Sequence, residues 1–351
     1  MKNQLLLGAA YHGNRMPSHM RADMESMARD GIDIVVHMLS HIDWDRHNRV
    51  LRDAFRATEE AGLEVWVDNW GLAGCPGDTS HFLVENPECR VVYSNGEYHR
   101  RLVCLNQPSF RAFVKAWIEE VASMGVKAIF WDEPELPTKK AGDASLYSCC
   151  CPVCQRKFEE RYNRPMPRLA GDADVSEFVT DTIVDFFEEI TDHSASMGIR
   201  NISCLMPKEF FGFEMKLAEK ICALPHMDNV GVDPYWSGKG VDPYEFVYRS
   251  TERMLATVHP YGKQHNLWVQ SFGLPQGAEE EIVWAIEGAY DAGARCILSW
   301  SYLGGESNNY RSANPQKCWD ATLAGFRRIR EMERDRMLAM HREAIKNKEK
   351  I

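Results

Sequence analysis

The chain has 351 residues, a net charge of -10 and 26% charged residues. That length is enough for one large barrel or two ordinary domains. The acidic balance argues against a general nucleic-acid binder, whose affinity comes from neutralising phosphates, and no stretch is long and apolar enough to span a bilayer.

In order, the sequence alternates strand and helix. Leu5–Tyr11 reads as a strand ending in Tyr11-His12-Gly13, followed by a helix over Ser18–Asp30. The apolar start is short and lacks a separate cleavage region, so a first strand fits it better than a secretory signal. Ile32–Leu39 is a strand ending near His37 and His41, then comes a helix over Asp45–Ala61. Glu64–Trp70 is the third strand, ending Asp68-Asn69-Trp70. Residues 71–104 form a long insertion with a hairpin turned at Ser94-Asn95-Gly96. Pro108–Met124 is a helix with Phe110, Phe113, Trp117 and Val121 on one face.

The fourth strand, Val126–Trp131, stops at Asp132-Glu133-Pro134-Glu135, where proline forbids further regular pairing and carboxylates crowd the strand end. A second insertion, residues 136–173, carries most of the close-set cysteines and a helix over Gln155–Tyr162. Val175–Met197 is a long helix. Arg200–Met206 is the fifth strand, ending Pro207-Lys208-Glu209, with a helix over Glu214–Leu224. Val230–Trp236, ending Asp233-Pro234-Tyr235-Trp236, precedes a helix over Pro243–Val258. Asn266–Gln270, a helix over Glu279–Ala292, Arg295–Trp300, a polar loop and a last helix, Pro315–Arg336, complete the pattern. Residues 337–351 read as a charged, solvated tail.

Eight such alternations predict a single (β/α)8 TIM barrel over residues 1–336, with loop insertions at about 71–104 and 136–173. A doubly wound sheet is the alternative, disfavoured because no Gly-x-Gly-x-x-Gly follows a strand. In a barrel the chemistry belongs at the carboxyl ends of the strands, which is where polar and aromatic residues recur.

Cys149, Cys151 and Cys154 lie close enough to hold one tetrahedral Zn2+ if a fourth ligand joins them. Cys104 is the candidate for that place, with Cys89 and Cys150 as rivals. A reduced buried set, or a redox pair at Cys151 and Cys154, is the other reading. With no export signal, the 11 cysteines point to metal binding or free thiols in the cytoplasm rather than a disulfide framework.

Cys104-Leu105-Asn106-Gln107-Pro108, then the fourth strand, then Cys149-x-Cys151-x-x-Cys154 with Phe158 following, resembles the zinc-containing β-galactosidases of glycoside hydrolase family 42. The resemblance covers roughly Cys104–Tyr162 and the barrel order. It implies a clan-A-like glycosidase barrel, a structural zinc, and an acid/base Glu ending the fourth strand, at Glu133. The family has Asn before that Glu, where this chain has Asp132. It has a nucleophilic Glu ending the seventh strand, where this chain has Gln270, which cannot attack carbon. Asp132-Glu133-Pro134 in turn resembles the N-acetylhexosaminidases that use substrate assistance. There the substrate's acetamido oxygen is the nucleophile, Glu protonates the leaving oxygen and Asp orients the amide.

Glu133, Asp132 and Asp233 are therefore the candidate catalytic residues, Asp233 as an alternative nucleophile or base. Adjacent strand residues face opposite ways, so Asp132 and Glu133 can share a pocket only if the strand has bent. Tyr11, His12, Asp68, Trp70, Glu209, Tyr235, Trp236, Gln270 and Trp300 are the candidate sugar-facing residues. The expected partner is a carbohydrate substrate, with no nucleic acid and no membrane; a homo-oligomer is left open. A non-catalytic sugar-binding barrel and a lyase or isomerase acting on a sugar acid are the rival functions.

Overall fold

A computed structural model of the chain describes residues 4–13, 15–70, 72, 80–133, 136–141, 144–168, 171–206 and 215–348. Its strands are β1 (Leu6–Tyr11), β2 (Ile34–Met38), β3 (Glu64–Asp68), β4 (Arg90–Val92), β5 (Tyr98–Val103), β6 (Ala128–Trp131), β7 (Lys139–Ala141), β8 (Ala144–Leu146), β9 (Arg200–Leu205), β10 (Asn229–Val232), β11 (Leu267–Gln270) and β12 (Cys296–Trp300). Eight of them are buried almost throughout, as in LWVQ and IVVHM, because both sheet faces are covered. These eight pair in parallel, in the order β1-β12-β11-β10-β9-β6-β3-β2, and close on themselves. The fold is a (β/α)8 barrel.

Strand alternation sorts the core into two layers. Ala10, Val36, Trp66, Phe130, Ile202, Trp268 and Leu298 fill the interior. Val35, Val67, Ile129, Trp131, Val232, Val269 and Ile297 pack outward against the helices.

Local chemistry sets where elements begin and end. The helix His41–Glu60 starts four residues before the expected Asp45, because Ser40 and Asp43 form a reciprocal capping box. The sixth barrel strand stops at Val232 rather than Trp236, since Pro234 cannot donate to the ladder. The last helix runs on from Pro315 to Lys348, well past Arg336.

Outside the barrel, β4 and β5 form one antiparallel hairpin and β7 and β8 another. The segment after β8 lies along the first hairpin: Ser94 donates to the Tyr147 carbonyl and Cys150 to the Val92 carbonyl, 2.9 and 2.8 Å. Between the two insertions sits a small separate core of Val91, Phe158, Val175, Phe178 and four cysteines.

Candidate active site

The inward-facing residue at the top of each strand lies two positions beyond an interior one. Ala10 leads to His12, Val36 to Met38, Trp66 to Asp68, Phe130 to Asp132 and Ile202 to Cys204. Trp268 leads to Gln270 and Leu298 to Trp300. Asp233 follows β10 in the same register, two beyond Gly231, where a Cβ would come within 2.2 Å of the Asn266 carbonyl oxygen. The barrel therefore delivers a ring of polar and aromatic groups to one end.

A pocket of about 200 Å3 opens there, with Phe130, Cys204 and Trp268 among its lining residues. Asp68, Asp132 and Glu133 give its acidic side. Trp70, Tyr235, Phe272, Trp300 and Tyr310 complete the aromatic lining. Phe272 meets Trp300 edge-on at 4.5 Å and Tyr235 at 5.0 Å, an arrangement that stiffens ring pairs.

Glu133 should face outward by alternation, like Trp131. Its backbone instead has φ +36°, a left-handed turn that only a surrounding structure can impose on a residue with a side chain. That turn swings Glu133 back beside Asp132. The Glu133 carboxyl then hydrogen-bonds to Asp233, which is 1% exposed.

Four carboxylates thus meet beneath aromatic rings, and their ionisation responds. Burial pushes Asp68 well above the usual carboxylate range, with the Glu133 charge adding to it against a hydrogen bond from the Trp70 backbone. Asp132 goes the same way through burial and then through Asp68 and Glu133. Burial also raises Glu133, partly offset by its bond to Asp233. Burial and mutual repulsion thus hold protons on Asp68, Asp132 and Glu133 to higher pH than on free carboxyls, the direction a general acid needs.

This crowding has a stability cost with a defined sign. Carboxyls whose folded pKa is raised bind more protons in the folded than in the unfolded chain, so stability falls as pH rises through that window. Asp132→Asn will accordingly stabilise the protein by about 0.5–2 kcal/mol at pH 8. The gain will vanish near pH 3, about a unit below the unfolded carboxyl's ordinary pKa of about 3.9, where that carboxyl is itself largely protonated. Urea titrations of both proteins at the two pH values check this, and an equal difference at both would contradict it.

The remaining expected residues divide. Asp68, Trp70, Tyr235 and Trp300 line the acid pocket, and Asp233 stands behind Glu133. His12 is wedged edge-on between Trp70 and Trp300, ring centroids 5.1 and 4.9 Å away. Tyr11 faces outward, its hydroxyl donating to Asp23 at 2.7 Å, so it does not reach the acid pocket. Trp236 also corrects the sequence reading. With the strand ended at Val232 it packs in the outer core, 2% exposed, and its indole donates to Glu281.

Gln270 is a further correction. Its oxygen accepts from the Ser237 backbone at 3.0 Å and its amide donates to the Phe272 carbonyl at 3.1 Å, so it ties two loops together instead of facing a sugar. Glu209 lies outside the described residues, as does Glu135. His37 is a satisfied core histidine, bonded to Thr58 at 2.9 Å, and His41 meets Ser80 at 2.7 Å.

The sequence reading missed Phe130, Cys204, Trp268, Phe272 and Tyr310. The first three were accessible from strand parity. Cys204 donates to Asp132 at 3.6 Å, and burial together with the Asp233, Asp132 and Glu133 charges pushes its thiol well up.

Beside the barrel, Cys104, Cys149, Cys151 and Cys154 are buried with their sulfurs all within 4.8 Å of one another. Cys104 lies 3.3 Å from Cys154 and 3.6 Å from Cys151, near the ~3.8 Å edge of a tetrahedron with metal–sulfur bonds of about 2.3 Å. All four are free thiols. Hydrogen bonds from Cys104, Cys149 and Cys154 draw the Cys151 thiol far below its ordinary range. Three N–H groups also point at the sulfurs: Val92 at Cys149 (3.4 Å), Asn106 at Cys154 (3.3 Å) and Gln107 at Cys151 (3.7 Å). This set can hold a metal ion.

No protein-family model matches the chain, and no curated protein sequence does. Solved structures share its fold. The catalytic domain of β-amylase from Paenibacillus polymyxa is 9% identical with a TM-score of 0.66, over 92% of this chain and 99% of that one. GH5_18 from Streptomyces cattleya in complex with GlcNAc is 14% identical with a TM-score of 0.60, over 94% and 81%. The endo-β-1,4-mannanase from Thermotoga petrophila is 11% identical with a TM-score of 0.58, over 93% and 76%. At these identities the likeness is one of fold.

Proposed function

We propose that the chain is a glycoside hydrolase acting on a 2-acetamido glycoside or oligosaccharide. Glu133 is its general acid and the substrate's own acetamido oxygen its nucleophile. The observation that carries this reading is that Asp132 and Glu133 line one pocket under aromatic rings, while the seventh barrel strand ends in Gln270 rather than a carboxylate. Gln270 supplies no carboxylate, and its amide is bound at both ends to backbone.

Substrate assistance requires only the acid and a group to orient the amide, and Asp132 sits in the same pocket as Glu133. Glu133 donates its proton to the leaving oxygen. Asp132 accepts from the acetamido N–H and steers the carbonyl oxygen toward the anomeric carbon. Asp233 holds Glu133 in its turned-back position. The aromatic rings stack on the sugar and exclude water, which strengthens each of these polar contacts. A pocket of about 200 Å3 is small beside the roughly 300–1,000 Å3 of drug-sized sites and fits one ring.

Asp132→Asn and Asp233→Asn separate this mechanism from a direct carboxylate route. Asp132→Asn will lower kcat roughly 10²-fold or more, and only glycosides bearing a 2-acetamido group will be cleaved by the wild type. Hydrolysis of plain hexosides, with Asp233→Asn the more damaging change, would assign the nucleophile to Asp233 instead. A panel of chromogenic glycosides measured against the three proteins decides it.

We further propose that the four cysteines hold one structural zinc, an all-thiolate closed set of the kind zinc favours. Its effect would be to anchor Pro137, four residues past Glu133, since Ser148, beside Cys149, donates to the Pro137 carbonyl at 2.7 Å.

A further inference from the structure

Next to the acid pocket lies a second cavity of about 240 Å3 that the proposed chemistry does not use. Trp70 lines both spaces. His12 borders the second and sits edge-on against Trp70 and Trp300, two walls of the first. A chain of sugar rings leaving one pocket over Trp70 would enter the other. The inner lining includes Met20, Leu51 and Ala54, which are apolar; Arg15, Asp43 and Asn308 add polar groups to it.

The polar groups specify what fits. Arg15 donates to one Asp43 oxygen through Nε (2.8 Å) and Nη2 (2.6 Å). The other Asp43 oxygen accepts from the Ser40 backbone and hydroxyl, 3.2 and 2.8 Å. The carboxylate is thus saturated and cannot hold a cation. An anion approaching Arg15 would meet that same carboxylate. His12 is neutral at physiological pH, because burial lowers it to about 4 against the pull of Asp43. The lining carries no net charge.

Two buried polar atoms there, His12 Nε2 and Asn308 Nδ2, have no hydrogen-bond partner among the described residues. Such atoms are costly unless something binds them. Asn308 Nδ2 offers a donor and a neutral imidazole nitrogen takes either role, so a ligand whose hydroxyls reach these buried atoms would satisfy both.

We propose that this cavity is a second sugar subsite, taking an uncharged pyranose ring joined to the one in the acid pocket, so that the preferred substrate is an oligosaccharide. The proposal rests on the glycosidase reading for its substrate class, but its binding consequence is measurable without catalysis. An apolar wall with a few converging hydroxyl partners is the usual make-up of a neutral ligand site.

The test uses Ser307→Trp, a change at an exposed rim residue of the cavity, and Asn308→Asp, which removes the unpartnered Nδ2 donor while keeping the oxygen that accepts from the Tyr310 backbone. Binding is read by tryptophan fluorescence in the Glu133→Gln background, with N-acetylglucosamine and triacetylchitotriose as probes. The trisaccharide will bind about tenfold or more tightly than the monosaccharide, equal to about 1.4 kcal/mol. Either added substitution will remove most of that difference while leaving monosaccharide binding within about twofold. A trisaccharide that binds no better than the monosaccharide, or an advantage that survives both substitutions, overturns the subsite. If the trisaccharide advantage appears and is lost as described, yet the wild type cleaves no glycoside, the subsite stands and the hydrolase reading falls.

Discussion

Glu133→Gln will reduce kcat roughly 10²-fold or more on a glycoside with an alkyl or sugar leaving group, while KM changes little. The amide keeps the shape of the carboxyl and can still hydrogen-bond to Asp233, so the turned-back backbone at φ +36° need not change. What is lost is the transferable proton. An alkoxide is a poor leaving group without it, whereas a dinitrophenolate leaves unaided. The defect will therefore shrink to a few-fold on a dinitrophenyl glycoside. That contrast separates an acid from a residue that merely shapes the pocket, because a distorted site would penalise both substrates alike. Equal losses on the two would remove Glu133 from the role.

Much of this site was legible because a parallel barrel turns sequence order into position. A carboxylate just after a buried strand, as at Asp68, Asp132 and Asp233, has only the mouth to occupy. Trp70 and Trp300 follow the same rule. The errors have local causes. Placing Trp236 in the mouth required the sixth strand to run through Pro234, and the chain instead leaves the ladder at Val232. Tyr11 and Trp131 share the outward parity of their strands, and Tyr11 lines the second cavity rather than the acid pocket. Gln270 has the right parity and the wrong neighbours: two backbone groups from adjoining loops claim its amide, and no single strand records that. The φ of Glu133 is likewise a tertiary fact, imposed on a residue whose strand parity pointed away from the pocket.

The two hairpins outside the barrel were only partly legible. The turn at Asn95-Gly96 announced the first hairpin. Nothing local announced that the residues after β8 would lie along it, since that pairing joins Tyr93 to Ser148 across fifty-odd residues. Cysteine spacing was more informative than secondary-structure pattern here. It gave Cys149, Cys151 and Cys154, and Cys104, singled out by its place just before the helix that leads into the fourth strand, is the fourth member of the buried set, with Cys89 and Cys150 left outside it.

Protein purified without added metal will contain about one zinc per chain, the stoichiometry of a single tetrahedral site. Removing it will lower the melting temperature by roughly 10 °C or more. Four thiolates around Zn2+ leave an excess of negative charge, and the surroundings are built to offset it. The Val92 backbone, Asn106 and Gln107 direct N–H groups at three of the sulfurs. Lys157 donates to the Asn106 oxygen at 2.8 Å, polarising the amide toward Cys154. Such supporting bonds tune a metal site nearly as much as the ligands do. Without the ion the four buried thiols cannot all ionise, and the small core between the insertions loses its centre. The barrel has its own core, so far-UV circular dichroism will change little on chelation while proteolysis within residues 80–168 accelerates. Hydrolysis will fall with the metal, since Pro137, four residues past Glu133, is bonded to Ser148. Cys154→Ala will reproduce the loss and will not be rescued by added zinc. A metal-free protein whose four thiols titrate in the native state, and whose melting is indifferent to chelator, would show the cluster to be a packed set of reduced cysteines.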